Sequence, residues 1–330
     1  MMSVGALLFS EGIVPLLRRL RQAKTAFMFL YAESTSMTRV SFITPFVLLS
    51  VLTGCSRFKS KPAETGGPER IVCIGEAYNE MIYALGAEAN LVGVDYSSTY
   101  PAQIKNLPTV GYHRALSAEG ILSLHPTLIL HDDNIGPDNV VRQLQALHVP
   151  MKTFQAKDDS SAGTEALLRE MGAFFHKEKR AEELCAQMER QMAAAAVAIK
   201  QYKTAPRVAV IHFGRASNVY LLVGNGGGGD ASTAGKMVEL AGGQMAMQQR
   251  GMHRMVSPEI VAKTDPEVIL MTEAGFDRLG GMEQAKALPG VRETDAARHN
   301  RIYRVPEHEL MYFGPDTGEN IIQLAKLIHQ

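Results

Sequence analysis

Residues 111–130 read GYHRALSAEGILSLHPTLIL, and residues 251–270 read GMHRMVSPEIVAKTDPEVIL. Slid together over 140 positions without a gap, they share Gly111/Gly251, His113/His253, Arg114/Arg254, Ser117/Ser257, Glu119/Glu259, Pro126/Pro266, Ile129/Ile269 and Leu130/Leu270. Each copy has one grammar. A Gly-led polar loop leads to Ser-x-Glu, which opens a short helix, and His-Pro or Asp-Pro then breaks into an apolar strand. A Ser N-cap with an acid in the first turn satisfies orphan amides and the positive helix end. Two copies of one α/β unit predict two similar lobes facing each other, with equivalent loops lining the cleft between them. The conspicuous exchange in the loop is Tyr112 against Met252. An unequal pair inside a shared frame marks where a ligand is expected.

The same rhythm extends outward from the repeats. A short apolar strand is expected over 70–75, a helix over 80–85, a strand over 91–95, the strand of the first repeat over 127–130, a helix over 139–147 and a strand over 151–154. Strands alternating with helices at this spacing predict parallel α/β packing. From Ser161 to about Lys203 there is no Pro, and after Gly172 no Gly. Residues 177–202 are rich in Ala, Glu, Lys, Gln and Met, all good helix formers. A helix of about 26 residues would run roughly 39 Å, enough to act as a rigid spine. Beyond Pro206 strands are expected over 207–212 and 219–223, a helix over 231–241, the second repeat, a strand over 301–305 and a closing helix over 318–328. The expected fold class is therefore α/β: two similar Rossmann-like lobes with parallel sheets, joined by one long spine helix, with the ligand cleft between them. The expected divisions are a first lobe over 69–160, a connecting region over 161–204 and a second lobe over 205–330. The run Asn225-GGGG-Asp230 lacks the spacing of a phosphate-binding loop, and Gly235-Lys236 is followed by Met237 rather than Ser or Thr. It reads as a loop crossing the cleft mouth.

Composition excludes some functions. Thirty-four acids balance 34 bases and there is no Trp, so neither charge nor stacking surface points to nucleic acid. Near the start, Met37-Thr-Arg39 precedes VSFITPFVLLSVL and then Thr53-Gly54-Cys55. That apolar stretch is too short to span a bilayer, which takes about 17–25 residues, and it suits a signal peptide. Leu52-Thr53-Gly54-Cys55 resembles a bacterial lipobox, which implies cleavage before Cys55 and lipid on its thiol. Residues 37–54 are thus expected to be a lipoprotein signal peptide and 55–68 a tether, with 1–36 lying upstream of a true start at Met37. Any membrane contact is through the lipid anchor. Cys73 and Cys185 are expected to be buried free thiols, since no spacing suggests a staple or a zinc site.

The stretch RIVCIGEAYNEMIYALGAEANLVGVD, residues 70–95, followed by VGYHRALSAEGILSLHPTLIL, residues 110–130, resembles the haem-binding solute-binding proteins of bacterial ABC haem importers. The resemblance covers 69–329, including Ala241-Gly242-Gly243 and Phe313-Gly314-Pro315-x-Thr317. Tyr83-Ala-Leu-Gly-Ala87 is shared with siderophore and cobalamin binders, whereas Gly111-Tyr112-x-Arg114-x-Leu116-Ser117-Ala118-Glu119-Gly120 is similar to the haem subgroup. The resemblance implies two lobes on a single long helix with little hinge motion. It also implies haem as the transported ligand, an exported location on the periplasmic or cell-surface side, and binding without catalysis. The partners implied are an ABC importer permease and its ATPase, with an outer-membrane haem receptor system upstream.

Chemistry agrees with that carry-over. Ferric haem is a hard Lewis acid and a phenolate is a hard anionic ligand; Tyr is an established axial donor to haem iron. Tyr112 is therefore the expected axial ligand, and Arg114 the cation that favours its anion. On the opposite lobe, His253 or His212 could fill the sixth iron position, as could Met252 through its thioether, and Arg254 could pair with a propionate or with the phenolate. Met-His-Arg at 252–254 departs from the Tyr and Arg more usual in the family. His113 is assigned no role. Glu119 and Glu259, the matched acids of the repeat, correspond to the acids that dock on permease arginines in that family. Three other readings stand beside this one: a siderophore or cobalamin binder, a metal-ion binder using His113, His212, His253 and Glu side chains, and a haem-degrading or electron-transfer enzyme. No His-Glu-x-x-His or nucleophile motif is visible.

Overall fold

Ile71-Val-Cys-Ile74 is apolar at every position, and it forms β1 (Ile71–Ile74), buried on both faces as the strands of parallel sheets are. In the computed structural model the described residues are 69–155, 160–215, 218–222, 224–225, 232–249 and 253–330. The expectations for the upstream segment, the signal peptide, Cys55, the tether, the 226–230 loop and Met252 lie outside them. The first lobe continues through α1 (Glu76–Leu85), β2 (Leu91–Val94), the short strands β3 (Gly111–Tyr112) and β4 (Ala115–Leu116), α2 (Ala118–Leu122), β5 (Leu128–His131), α3 (Asp138–Ala146) and β6 (Met151–Lys152). Its sheet is parallel in the order β2-β1-β5-β6. Strand alternation divides the core. Ile71, Cys73, Leu128 and Leu130 pack with Met81 and Leu85 of α1, while Val72, Ile74 and Ile129 pack with Ile121 of α2 and Leu144 of α3. Gly86, at φ 65°, ends α1 and donates to the carbonyls of Ile82 and Tyr83, the usual left-handed stop.

The long helical run is two helices, α4 (Ser161–Phe174) and α5 (Glu178–Ile199). The chain reverses at His176, at φ 56°, and Gly172 leaves room for the methyl of Ala181 on the next helix. At 22 residues, α5 is shorter than expected and spans about 33 Å. It is nonetheless the spine. Ala181, Leu184 and Cys185 belong to the first lobe's core, whereas Ala195 belongs to the second lobe's, with Met192 and Ile199 packed against it. Both thiols, Cys73 and Cys185, are free and buried as expected, and burial pushes both up.

The second lobe runs β7 (Arg207–Arg215), β8 (Asn218–Leu222), β9 (Gly224–Asn225), α6 (Thr233–Leu240), β10 (Gln244–Met245), β11 (Gln248–Gln249), β12 (His253–Val256), α7 (Pro258–Thr264), β13 (Val268–Thr272), α8 (Glu273–Leu279), α9 (Met282–Ala287), α10 (Asp295–Arg298), β14 (Ile302–Val305), α11 (Glu307–Leu310) and α12 (Thr317–Ile328). Its parallel strands lie in the order β10-β7-β13-β14, the same arrangement as β2-β1-β5-β6. The repeat is structural as well as textual: α2 and α7 begin 140 residues apart, and so do β5 and β13.

Two details depart from expectation. The strand expected to end at His212 runs on to Arg215, because it turns into an antiparallel hairpin with β8. The Gly-led segments are also not plain loops. In the first lobe Gly111–Leu116 folds back on itself as the β3–β4 hairpin, while in the second His253–Val256 lies as β12 along the outer edge of β8. The hairpin explains the difference, since an open strand edge is a template for pairing and the first lobe has none there.

Candidate functional site

In the first sheet, connections run outward in opposite directions from β1 and β5. Such a switch leaves a crevice beyond the carboxyl ends of the strands, where open α/β sheets place ligands. The loops leaving β1, β2 and β5 meet there. Asp95, fully buried, ties them together. Its Oδ1 accepts from the Gly75 amide at 2.9 Å and the Ser98 hydroxyl at 2.6 Å, and its Oδ2 accepts from the Ser97 amide at 3.0 Å and from the Ser97 hydroxyl. Burial alone would raise this carboxyl; the bonds from His113, Ser97, Ser98 and Gly75 outweigh it and hold Asp95 below its ordinary value. His113 stands next in line, its Nδ1 3.7 Å from Asp95 Oδ2 and 3.3 Å from Ser97 Oγ.

The β3–β4 hairpin is stitched onto this base from two sides. Tyr96 donates its amide to the Gly111 carbonyl at 2.8 Å, Gly136 donates to the His113 carbonyl at 2.8 Å, and Leu116 donates to the Gly136 carbonyl at 3.0 Å. Gly111 sits at φ 103°, a region that favours glycine, so the turn itself requires it. The hairpin presents Tyr112, 48% exposed, with its ring centroid 4.1 Å from that of His113. Arg114 is exposed and donates from Nε to Asn134 Oδ1 at 2.9 Å. A large aromatic side chain left half in water on a fixed hairpin is unusual for packing and apt for a ligand.

The second lobe faces it with the β7–β8 hairpin. The register shifts between Ile211 and Phe213, so His212 is the extra residue of a bulge rather than the end of a strand. Bulges re-aim side chains near sites. Its Nδ1 lies 3.1 Å from Thr272 Oγ1, and that hydroxyl donates back to the His212 carbonyl at 2.9 Å. Phe213 and Tyr220 pair across the hairpin with stacked rings, 4.8 Å between centroids and 10° apart. Burial raises the Tyr220 phenol; Tyr112 raises it further and Arg114 lowers it, so both lie within electrostatic reach of Tyr220. Met255 lies directly opposite Tyr220 in register and is exposed. On β12 the backbones of His253 and Arg254 pair with Leu222 and Leu221; their side chains are outside the described set.

The electrostatic surroundings of Tyr312 are acidic. Tyr312, mostly buried, is pushed up by burial and by Glu76, Asp95, Asp132 and Glu307 around it. Glu76 accepts from the Thr99 amide at 2.6 Å and the Tyr100 amide at 3.1 Å, yet burial outweighs both and pushes it up to about 8. Asp132 is raised by desolvation, partly offset by the bond from the Asn134 amide and by His113, although the residue as a whole is exposed. Tyr100 of the first lobe stacks on His308 of the second, 3.8 Å apart and 6° from parallel.

Of the residues expected from sequence, Tyr112 and Arg114 of the first lobe and His212 of the second are linked through Tyr220 into one group, His212 lying 6.1 Å from Tyr220 between ring centroids. Glu119 and Glu259 stand away from it, exposed in the first turns of α2 and α7, and Ser257 holds Glu259 below its ordinary value. Sequence reasoning overlooked Phe213, Tyr220, Tyr312, Asp95 and the buttressing place of His113. Only His113 carried a signal, as one of the identities of the repeat. Among the described residues no three His, Cys, Asp or Glu side chains are grouped to hold a metal ion, and no helix is long and apolar enough to cross a membrane.

Residues 71–309 match the profile of the family described as periplasmic binding protein. Among solved structures, the periplasmic heme-binding protein RhuT from Roseiflexus sp. RS-1, in apo form, is 32% identical, with 80% of this chain and 98% of that one covered and a TM-score of 0.71. An uncharacterized ABC transporter substrate-binding lipoprotein of Bacillus subtilis is 24% identical over 79% of this chain and 80% of its own length. A vitamin B12-binding protein of Pectobacterium atrosepticum is 30% identical over 152 residues, 44% of this chain and 53% of that protein.

Proposed function

The chain belongs to the periplasmic binding protein family, an extracytoplasmic class, and from that premise we propose that it captures haem between its lobes, with Tyr112 as the axial ligand to ferric iron. The observation that carries this reading is Tyr112 itself: half-exposed on a hairpin fixed from both sides, and within electrostatic reach of Tyr220, whose ring stacks on Phe213. A planar macrocycle needs one donor to its metal and flat apolar walls. Both are here. Arg114, two residues on in the same hairpin, is a cation available to a phenolate held on iron. His212 at its bulge, with Arg254 and His253 on β12 and Met252 just before it, are the residues from which a sixth ligand or a propionate partner would come. No covalent chemistry is required of any of them, so the protein binds and releases its ligand rather than transforming it.

Delivery follows from the same premise. Glu119 and Glu259 are matched acids on equivalent exposed helix starts, suited to pair with basic residues on an ABC permease whose ATPase drives import. Cys55 would hold the protein at the membrane through its lipid.

The similarity to a vitamin B12-binding protein supports a second reading, cobalamin as cargo. It extends over about half of each chain, whereas the similarity to a heme-binding protein runs through nearly the whole folded part. Titrating the purified protein separately with hemin and with cyanocobalamin distinguishes the two. A saturable ferric tyrosinate spectrum with hemin alone is expected; cobalamin binding without a hemin spectrum would overturn the haem reading.

A further inference from the structure

A cavity of about 240 Å³ lies against the spine helix, where both lobes meet it. Glu80 and Tyr83 of α1 and Tyr100 come from the first lobe, Gln187 from α5, and Pro315 and Asp316 from the second lobe. None of the side chains grouped around Tyr112 and Tyr220 lines it. A cavity of about 150 Å³ already admits benzene, so this one has room for a small organic molecule. Its acceptors are short of donors. Glu80 is 3% exposed and its Oε2 has no hydrogen-bond partner, a costly state for a buried acceptor. The carboxyl sits hard against the second lobe, since any side chain at Gly314 would collide with it. Asp316 stands at the N-cap of α12, where the helix end favours its anion. Gln187 and Gln191 both donate to its Oδ1, at 3.1 and 3.4 Å, which leaves Oδ2 for another donor. Arg180, the cation of the lining, is engaged elsewhere: its Nε donates to the Ala84 carbonyl at 3.0 Å, and its Nη1 lies 3.5 Å from Glu183.

We propose that this cavity is a second ligand site, which takes a small organic cation, a primary ammonium, between Glu80 and Asp316. An ammonium carries three donors and no acceptor, which suits two carboxyl groups that each have an oxygen to spare. Tyr83 and Tyr100 supply aromatic surface for its charge and its hydrocarbon, and His308 braces the Tyr100 ring from the far side. An anion would meet a carboxyl from either lobe. A bare metal ion would leave most of the volume empty, and among the described residues no three His, Cys, Asp or Glu side chains gather to hold one. The groups around Glu80 are Glu76 and Tyr83 on its own helix, Tyr100 beyond β2, Arg180 on the spine and Asp316 on the second lobe. Burial, and then Asp316, push Glu80 up to about 8, so at pH 7 it keeps a proton that a bound cation expels.

Calorimetric titration of the protein with n-butylammonium at pH 7, in two buffers of different ionisation enthalpy, reads affinity and proton release together. Saturable binding is expected, with release of about one proton. The neutral analogue 1-butanol should bind at least about tenfold more weakly. Glu80→Gln keeps the side chain's shape, abolishes the release and weakens the ammonium by about tenfold or more; Asp316→Asn, on the other lobe, also weakens it. No saturable ammonium binding, equal binding of 1-butanol, or unaltered affinity in either folded variant overturns the site. Displacement by magnesium would make it a metal site, and competition with hemin would make it part of the cleft; either result overturns the proposal. If Glu80→Gln does not fold, Asp316→Asn and the wild-type proton count decide. A wild type that ignores hemin bears on the cleft alone, since this site does not depend on what the cleft carries.

Discussion

Tyr112→Phe removes one oxygen and little else. The phenol is half-exposed and its ring rests on His113, so Phe keeps that contact, opens no cavity and strands no buried donor. Substitutions of this kind fall within about 0.5 kcal/mol of neutral for stability. Iron, by contrast, loses an anionic ligand. Even if a neighbouring donor partly takes its place, affinity for hemin should fall by at least about tenfold, equivalent to about 1.4 kcal/mol. The assay is a hemin titration followed by absorbance, paired with thermal unfolding of the ligand-free protein. The expected result is separation: an unchanged Tm with a weakened affinity and loss of the tyrosinate band. An unchanged ferric spectrum with unchanged affinity would falsify Tyr112 as the ligand. A lowered Tm in the free protein would instead show that the hydroxyl has a structural partner on the hairpin.

Other outcomes can be stated alongside it. Arg114→Ala should weaken hemin binding less than Tyr112→Phe and move the appearance of the tyrosinate spectrum to higher pH; the same spectrum at the same pH would leave Arg114 to its Asn134 contact alone. Reversing Glu119 and Glu259 together to Lys should leave hemin binding intact and abolish transport into permease-bearing vesicles, since wrongly paired charges at an interface cost several kcal/mol. Transport that survives would reduce the two acids to helix-end residues. Burial pushes Glu80 from its ordinary 4.5 up to about 8, and its Oε2 has no hydrogen-bond partner. The folded state therefore holds a proton that the unfolded state has released between those values, and stability falls as pH rises through that window. Glu80→Gln should reduce this slope between pH 5 and pH 8 as followed by urea unfolding, leaving the part that Glu76 contributes, and identical slopes in both proteins would refute the assignment.

Much of the fold was legible because the repeat repeats geometry. Ser117 and Ser257 mark the starts of α2 and α7, and Pro126 and Pro266 mark the breaks before β5 and β13, so local rules sufficed. Even within the repeat the chemistry varies: Ser117 accepts from the Gly120 amide at 3.3 Å, whereas Ser257, followed by Pro258, makes no such bond. The spine was overestimated at its C-terminal end, where residues 200–202 leave the helix although their composition holds neither Gly nor Pro. The hairpin wall was invisible for a related reason. Phe213 and Tyr220 are ordinary strand formers, and nothing local reveals that they stack at a cleft. Asp95 looked like a strand terminus; its role depends on Gly75, Ser97, Ser98 and His113 converging from three loops, which only tertiary structure supplies.

That asymmetry bears on how a duplicated fold comes to hold an asymmetric ligand. Both lobes keep the same parallel strand order and the same exposed acid at the same helix start. What differs is the stretch just before that helix. In the first lobe it closes on itself and offers Tyr112 from a short hairpin; in the second it is laid along β8. The inserted β7–β8 hairpin therefore does two things at once. It converts a second copy of the loop into a strand, and it supplies through Phe213 and Tyr220 a flat wall where a symmetric copy would have placed another Tyr112. Two phenols at matched positions would present like ligands on both faces of a ring. On the haem reading, the hairpin phenol of Tyr112 would give the iron a defined side, while equivalent helix starts would suit a partner with two-fold symmetry.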